Sequence, residues 1–190
     1  MIRLTVGPMF ADKTTSLIAS AKRTVQRTGS ESVVVIVPTI DQRSGPYLRS
    51  HAGEICAAMS VATAREFQAV VYPRPNLKHV VVDEVQFFGS WIVRELVLLS
   101  RRRIQLDVAG LLHDYRGAPF ENTMQLIPFA EEIHHKTATC VGCGEAAAWT
   151  HRKTHEGDRV VVGGAETYEP RCRRCWEVEV SDAWVPWEGE

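Results

Sequence analysis

The chain has 190 residues, of which 45% are hydrophobic and 24% are charged; this favours one main domain with a small addition and excludes intrinsic disorder. Its 22 basic and 23 acidic side chains give a net charge of −1, so no bulk positive field attracts nucleic acid or an anionic membrane. Because the sequence has neither an apolar run of roughly 20 residues nor a secretory signal, we expect a cytoplasmic protein with no nucleic-acid and no membrane partner.

Short strands alternate with helices in the pattern predicted for the first part of the chain. The β-branched run at 33–37 and the valines at 80–82 are typical of strands buried on both faces of a parallel sheet. In chain order, we predict a strand at 2–6, a helix at about 13–27, a strand at 33–37, a polar loop at 38–53, a strand at 80–82, a helix at 91–103 and a strand at 106–111. This order predicts an α/β fold with a parallel sheet flanked by helices and ligands at its carboxyl edge.

Four of the five cysteines form two pairs, Cys140 with Cys143 and Cys172 with Cys175. Four thiolates in two such pairs can surround one Zn²⁺ tetrahedrally, so we predict a structural zinc site with no ligand position left for a reactive water. A redox Cys-x-x-Cys motif and two accidental pairs are the alternatives.

A phosphate-binding loop is predicted between the first strand and the first helix, where Gly7-Pro8-Met9-Phe10-Ala11-Asp12-Lys13-Thr14 lies. In a P-loop, backbone amides and the helix N-terminus bind phosphates, the lysine reaches the β- and γ-phosphates, and the hydroxyl binds Mg²⁺. Asp12 stands where the P-loop pattern has glycine. An ordinary strand–turn–helix connection is therefore the alternative interpretation.

Two adjacent carboxylates, Asp83 and Glu84, follow the predicted strand at 80–82. A carboxylate at the end of such a strand holds Mg²⁺ in P-loop proteins, and its neighbour can act as a general base toward a substrate hydroxyl. A surface acidic pair is the alternative, but its coincidence with the P-loop pattern favours a kinase site.

The sequence resembles the type II thymidine kinase family, the small zinc-containing P-loop deoxynucleoside kinases, in motifs spread over essentially the whole chain. The segments that carry the resemblance are Gly7-Pro8-Met9-Phe10, Ile40-Asp41-Gln42-Arg43, Ser50-His51-Ala52-Gly53, Asp83-Glu84-Val85-Gln86-Phe87-Phe88, the segment 110–120, and the segment 162–172. The last of these resembles the family's substrate-covering lasso. Because the strand–helix pattern ends near residue 134, we predict a P-loop nucleotide-binding domain at 1–133 and a zinc-binding domain with the lasso at 134–190.

The resemblance implies a role for each matching residue. Glu84 would be the base that takes the proton from the 5′-hydroxyl of the nucleoside. ATP and Mg²⁺ would be bound by Gly7, Pro8, Met9, Phe10, Ala11, Asp12, Lys13, Thr14, Asp41, Arg43, Asp83 and Gln86. The thymine nucleoside would be bound by Met9, Leu111, Tyr115, Phe120, Val162, Gly163, Gly164, Ala165 and Tyr168. The family also implies a homotetramer.

Three residues depart from the family pattern. Asp12 replaces the P-loop glycine, Leu112 replaces an aspartate, and Tyr115 replaces a phenylalanine. If the Asp12 carboxylate faced the triphosphate, repulsion would weaken ATP binding. Two alternatives avoid that cost: a carboxylate that points to solvent, where screening removes most of the repulsion, or one that coordinates the metal. Tyr115 adds a hydroxyl that needs a hydrogen-bond partner when it is buried. We expect this hydroxyl to favour a pyrimidine nucleoside with a polar substituent at carbon 5.

The leading hypothesis is an ATP- and Mg²⁺-dependent thymidine kinase that produces thymidine monophosphate and contains a structural zinc ion. The alternative is a degenerate relative that binds nucleoside or nucleotide without turnover, which Asp12 and Leu112 would favour. A zinc-dependent nucleic-acid binder, suggested by the arginines at 101–103 and 171–174, is disfavoured by the near-zero net charge.

Overall fold

The computed structural model describes residues 1–40, 46–154 and 158–176. Twelve strands and four α-helices lie within these residues: β1 (Ile2–Val6), α1 (Lys13–Thr28), β2 (Val33–Pro38), β3 (Tyr47–Arg49), β4 (Ile55–Ala57), β5 (Met59–Val61), α2 (Ala64–Val71), β6 (His79–Val82), α3 (Trp91–Ser100), β7 (Gln105–Gly110), α4 (Glu121–Leu126), β8 (Glu132–His135), β9 (Ala138–Thr139), β10 (Ala146–Ala147), β11 (Trp149–Arg152) and β12 (Tyr168–Arg171).

Six of the strands form one parallel sheet in the order β5-β2-β6-β7-β1-β8. The strands β1 and β6 lie on either side of β7, so the carboxyl ends of all three strands lie at the same edge of the sheet. The predicted α/β fold with a parallel sheet flanked by helices is confirmed.

Side chains that alternate along each central strand form two separate cores. In β2, Val34 and Ile36 pack into the core that contains α2 and α3, whereas Val35 and Val37 pack against α1 on the opposite face. The predicted run of β-branched residues is therefore buried on both faces because helices cover both faces. Burying a valine or isoleucine side chain contributes roughly 1.5–3 kcal/mol, so these strands account for much of the stability.

The structure corrects two predicted elements. The segment 38–53, predicted as a loop, contains β3, which pairs antiparallel with β4 to form a small hairpin. The helix predicted at 91–103 ends at Ser100, and the turn that follows includes Arg103 with φ 57°. A left-handed backbone conformation at Arg103 cannot continue a right-handed helix, so the helix must end before it.

Residues after β8 form a smaller unit of paired short strands. β9 pairs with β10, and β11 pairs with β12, both antiparallel. The predicted boundary after residue 133 lies inside β8, which pairs with β1, and the division into two domains stays a prediction. Among the described residues, no helix combines the length and the apolarity that crossing a membrane requires.

A buried polar cluster joins α1 to the sheet beneath it. His79 Nε2 lies 3.1 Å from Asp107 Oδ2, and the Ser20 hydroxyl donates to the same carboxylate. Burial alone would raise the pKa of Asp107, but the contacts of its carboxylate with His79, Ser20 and Gln105 outweigh it and lower that pKa to about 2. The ionised carboxylate therefore stabilises the folded chain.

We expect Asp107→Asn to lower the free energy of unfolding at neutral pH by about 2 kcal/mol. The carboxylate of Asp107 has a lower pKa in the folded than in the unfolded chain, so its stabilisation is complete above about pH 4 and is lost as the pH falls toward 2. Urea unfolding of both proteins at several pH values measures this. If the difference in unfolding free energy between the two proteins did not decrease from pH 4 to pH 2, the stabilising role of the Asp107 carboxylate would be contradicted.

Candidate active site

The loop between β1 and α1 approaches the end of β8 closely. Gly7 has a positive φ of 154°, and a Cβ atom on this residue would lie 2.3 Å from the backbone oxygen of Lys136. Glycine is therefore required at this position, because the obstructing atom is backbone and cannot rotate away. Phe10 and Asp12 also have positive φ values, 66° and 55°, which turn the loop back toward the start of α1.

Lys13 is buried at the first position of α1, and its Nζ atom donates to the Pro8 oxygen at 2.6 Å across the loop. Burial lowers the pKa of Lys13, and the nearby carboxylates of Glu84 and Asp83 act in the opposite direction. The lysine thus holds the loop closed and places a positive charge beneath it, beside the two carboxylates that follow β6.

Thr14 and Asp83 join α1 to the end of β6. The Thr14 hydroxyl donates to Asp83 Oδ2 at 2.7 Å, and the Glu84 amide donates to Asp83 Oδ1 at 2.9 Å. Burial and the neighbouring Glu84 raise the pKa of Asp83 to about 7, although Thr14 and Lys13 oppose the shift. Two carboxylates therefore share one ammonium group, which is an arrangement that favours binding of a further cation.

Glu84 is held in place by Gln86. The Gln86 side chain donates from Nε2 to Glu84 Oε2 and accepts from the Leu111 amide at 3.1 Å through Oε1. Glu84 itself has a left-handed backbone, with φ 51°, at the turn after β6. Non-glycine residues in this conformation are strained and are found at functional sites, where the surrounding structure fixes them.

Glu84 lines a cleft whose other lining residues are mostly apolar. Seven of the nine residues predicted to bind the nucleoside line the same cleft: Met9, Leu111, Tyr115, Phe120, Val162, Gly163 and Tyr168. Gly164 and Ala165 are not among the described lining residues; the Gly164 oxygen instead accepts from the amides of Thr167 and Tyr168, which closes the turn of the lasso.

Further lining residues were not predicted from the sequence. They are Ile40, Phe87, His113, Asp114, Thr150, Arg159, Val160 and Val161. Phe87, His113 and Asp114 lie within motifs that the sequence analysis recognised, so these motifs could have pointed to their place in the cleft. No motif contains Thr150, which lies in β11. Its hydroxyl accepts from the Met9 amide at 3.1 Å, which links the smaller unit to the P-loop. Asp41 and Arg43 lie outside the described residues.

The four paired cysteines come together in the smaller unit. Their sulfur atoms lie within 4.8 Å of one another, and Cys143 Sγ is 3.6 Å from Cys172 Sγ. Sulfur atoms bound tetrahedrally at about 2.3 Å would be roughly 3.8 Å apart, so the cluster fits a zinc ion. Hydrogen bonds from the backbone at Cys172, and then at Gly142 and Cys143, lower the pKa of Cys140 to about 6. The pKa of Cys172 is also lowered, first by its hydrogen bond with the Cys175 backbone, whereas hydrogen bonds with the Cys143 and Cys172 thiols raise the pKa of Cys175 to about 12. The cluster thus favours the thiolate form at Cys140 and Cys172.

Comparison with known proteins assigns the chain to a family. A model of the thymidine kinase family matches residues 1–176. The chain belongs to the thymidine kinase family. Among its relatives is the thymidine kinase of Pseudothermotoga lettingae, which is 34% identical over 177 residues that cover 92% of this chain and 94% of the relative.

Two of the three departures from the thymidine kinase pattern have clear structural outcomes. Leu112 packs against the larger core, and its backbone oxygen accepts from the Phe120 amide at 2.9 Å, so it contributes to architecture. The Tyr115 hydroxyl accepts from Arg116 Nε at 2.7 Å and from Arg152 at 2.8 Å. The partners of this hydroxyl are thus two guanidinium groups of the protein, which gives the 5-substituent hypothesis no support.

The third departure, Asp12, leaves the loop intact. Asp12 is exposed, adopts the left-handed conformation that glycine would have there, and its carboxylate lies 3.5 Å from the Thr15 hydroxyl. Aspartate enters this region of backbone space more readily than most residues, which explains how the P-loop forms without its usual glycine.

Proposed function

We propose that this member of the thymidine kinase family transfers the γ-phosphoryl group of ATP to the 5′-hydroxyl of thymidine. The observation that carries the proposal is the dipeptide Asp83-Glu84. Asp83 is hydrogen-bonded to Thr14 of the P-loop, while Glu84 lines the apolar cleft. Two adjacent residues thus join the phosphate-binding loop to the nucleoside pocket, as in-line transfer between two bound substrates requires.

Glu84 is the general base in this proposal. Its carboxylate accepts the proton of the 5′-hydroxyl as the oxygen attacks the γ-phosphorus, and the bond to the ADP oxygen breaks. Gln86 orients the carboxylate through one end of its amide and is fixed by Leu111 at the other. We therefore assign Gln86 a positioning role, since both ends of its side chain are occupied within the protein.

The P-loop binds the triphosphate. Backbone amides of residues 10–12 and the N-terminus of α1 supply hydrogen-bond donors and a positive dipole, and Lys13 adds a charge directly beneath them. The fit of Mg²⁺ follows from its preference for oxygen ligands, which the Thr14 hydroxyl and the Asp83 carboxylate provide side by side. When bound, Mg²⁺ would neutralise charge that develops on the phosphate oxygens.

The thymine base occupies the apolar part of the cleft. Leu111, Tyr115 and Phe120 line it together with residues of the lasso. A flat pyrimidine fits such a site because apolar walls supply contact area and a small number of polar groups fix its orientation. The backbone of the lasso is where we place recognition of the base edge.

A structural Zn²⁺ bound by Cys140, Cys143, Cys172 and Cys175 would hold the ends of the smaller unit together. Cys172 directly follows β12, the strand in which the lasso ends. Three expectations stay predictions: phosphate contacts by Asp41 and Arg43, a homotetrameric assembly, and a cytoplasmic location.

We expect Asp12→Gly to lower the KM for ATP by less than about tenfold and to leave the KM for thymidine unchanged. The Asp12 carboxylate is exposed, so solvent and salt screen its repulsion of the triphosphate. Glycine would also remove backbone strain of about 1 kcal/mol, which should raise the melting temperature. Steady-state kinetics with each substrate varied, together with thermal unfolding, measure both effects. Weaker ATP binding by the glycine variant would instead make the carboxylate a favourable part of the site.

A substrate panel tests the proposed function. The purified protein is incubated with Mg²⁺ and ATP and with thymidine, deoxycytidine, uridine or deoxyadenosine, and ADP release is followed. We expect the highest kcat/KM for thymidine, because the apolar lining of the cleft favours a methylated pyrimidine. Equal rates with the purine nucleoside, or no ADP release above the nucleoside-free background with any of them, would contradict the proposal.

A further inference from the structure

The segment that leads into the lasso is tied across the cleft by Arg159. Its Nε atom donates to Asp114 Oδ2 at 2.7 Å, and its terminal nitrogen donates to the Pro119 oxygen at 2.8 Å. Its guanidinium carbon lies 5.2 Å from the centre of the Phe120 ring. One side chain thus contacts three residues of the loop after β7.

Asp114 organises the loop that receives Arg159. Its Oδ1 atom accepts from the amides of Arg116 and Ala118, both at 2.9 Å. Its Oδ2 atom accepts from Arg159. The Asp114 side chain is 3% exposed and that of Arg159 is 48% exposed, so removal of the arginine would leave a buried carboxylate without its ion-pair partner.

The two joined segments both line the nucleoside cleft. Asp114, Tyr115 and Phe120 line it from the loop after β7, and Val160, Val161 and residues of the lasso line it from the segment that contains Arg159. The second of these segments is connected internally, because the Tyr168 hydroxyl donates to the Val161 oxygen at 2.8 Å. The contacts of Arg159 therefore hold two cleft-lining segments together.

Arg152 provides a second attachment of the same segment. Its guanidinium donates to the Asp158 oxygen at 2.6 Å and to the Tyr115 hydroxyl at 2.8 Å. Because this attachment would remain in a variant of Arg159, the lasso segment should loosen in that variant without detaching.

We propose that Arg159 is a positioning residue that sets the affinity for thymidine by holding the lasso segment against the loop that carries Asp114 and Phe120. This inference rests on the proposed function, because it assumes that the cleft binds thymidine. The partners given above for Arg159 lie in the loop at 114–120 and do not include the P-loop, Asp83 or Glu84. We therefore expect binding to change and the chemical step to stay the same.

The test compares Arg159→Ala and Arg159→Lys with the wild-type protein. We expect the alanine variant to raise the Kd for thymidine on the order of tenfold, because two hydrogen bonds of a charged group are lost while the Arg152 contacts remain. The kcat at saturating thymidine should stay within about twofold. Lysine keeps the charge beside Asp114 but cannot form both contacts, so it should restore part of the affinity.

Arg102→Ala is the matched control. Arg102 also lies over an aromatic ring, 5.2 Å from the centre of the Tyr72 ring at the end of α3, away from the cleft. We expect the Arg102→Ala variant to have the same Kd for thymidine and the same kcat as the wild-type protein. A general effect of arginine removal on stability would appear in both variants and not in Arg159→Ala alone.

Calorimetric thymidine binding and hydrogen exchange of 158–168 separate this inference from the proposed function. Faster exchange in the Arg159→Ala variant, with weaker binding and a retained melting temperature, would support the inference. If the wild-type protein neither bound nor phosphorylated thymidine, the proposed function would fail, while the exchange measurement would still test the attachment. The inference would be overturned if Arg159→Ala left the hydrogen exchange and the Kd unchanged, or if it lowered kcat with an unchanged Kd. If the alanine variant does not fold, the same measurements on Arg159→Lys decide.

Discussion

Glu84→Gln is expected to lower kcat for thymidine phosphorylation by a factor on the order of 10²–10⁴, the usual contribution of a positioned general base. Glutamine has the shape of glutamate and its amide oxygen can still accept from Gln86, but it cannot take the proton of the attacking hydroxyl. The Kd for thymidine should therefore change little. Steady-state kinetics and equilibrium binding on the same preparation measure the two quantities separately.

Glu95→Gln is the control for this substitution. Glu95 is a buried glutamate of α3, and its carboxylate accepts from Gln68 at 2.8 Å and from the Tyr72 hydroxyl at 2.9 Å. It lies outside the cleft, so kcat should be retained. An unchanged kcat in Glu84→Gln, under conditions in which the chemical step limits turnover, would assign the base to another group.

Removal of the metal, by chelation or by Cys140→Ser, is expected to unfold the smaller unit and abolish thymidine binding. Metal binding at a structural zinc site contributes about 10–16 kcal/mol in small zinc domains, which is comparable to the whole stability of a typical domain. The nucleoside cleft includes Thr150 of β11 and Tyr168 of β12, so it should be lost with that unit. Metal analysis, thermal unfolding and thymidine binding measure these effects.

Cys56→Ser is the matched control for the metal site. Cys56 is a half-buried residue of β4 and is not part of the four-cysteine cluster. The variant should keep its metal content and its affinity for thymidine. A metal-free Cys140→Ser protein with full activity and an unchanged melting temperature would show that the cluster is not structural.

The central sheet was predictable because its signal is local. The residues at 33–37 and 80–82 are β-branched throughout, and only a strand covered on both faces by helices buries all of them. The strands β3, β4 and β5 have three residues each, too few for a periodic pattern, and they were not predicted. Their formation depends on partners that the local sequence does not reveal.

The candidate site was predictable where its residues lie in contiguous motifs. Asp83 and Glu84 follow a predicted strand, Lys13 and Thr14 begin a predicted helix, and the fold brings the two pairs together. The contact between Arg159 and Asp114 joins residues 45 positions apart and follows from no local pattern. The left-handed conformation of Asp12 shows how a residue that breaks a motif can keep its geometry.

The identity of the phosphorylated product tests the central claim most directly. The protein is incubated with labelled thymidine, Mg²⁺ and ATP, and the nucleotide formed is separated and compared with thymidine 5′-monophosphate and thymidine 3′-monophosphate. We expect the 5′-monophosphate, formed in equal amount to ADP, with product from Glu84→Gln reduced on the order of 10²-fold or more. A wild-type protein that binds both substrates but forms no nucleotide, or that forms the 3′-monophosphate, would contradict the account.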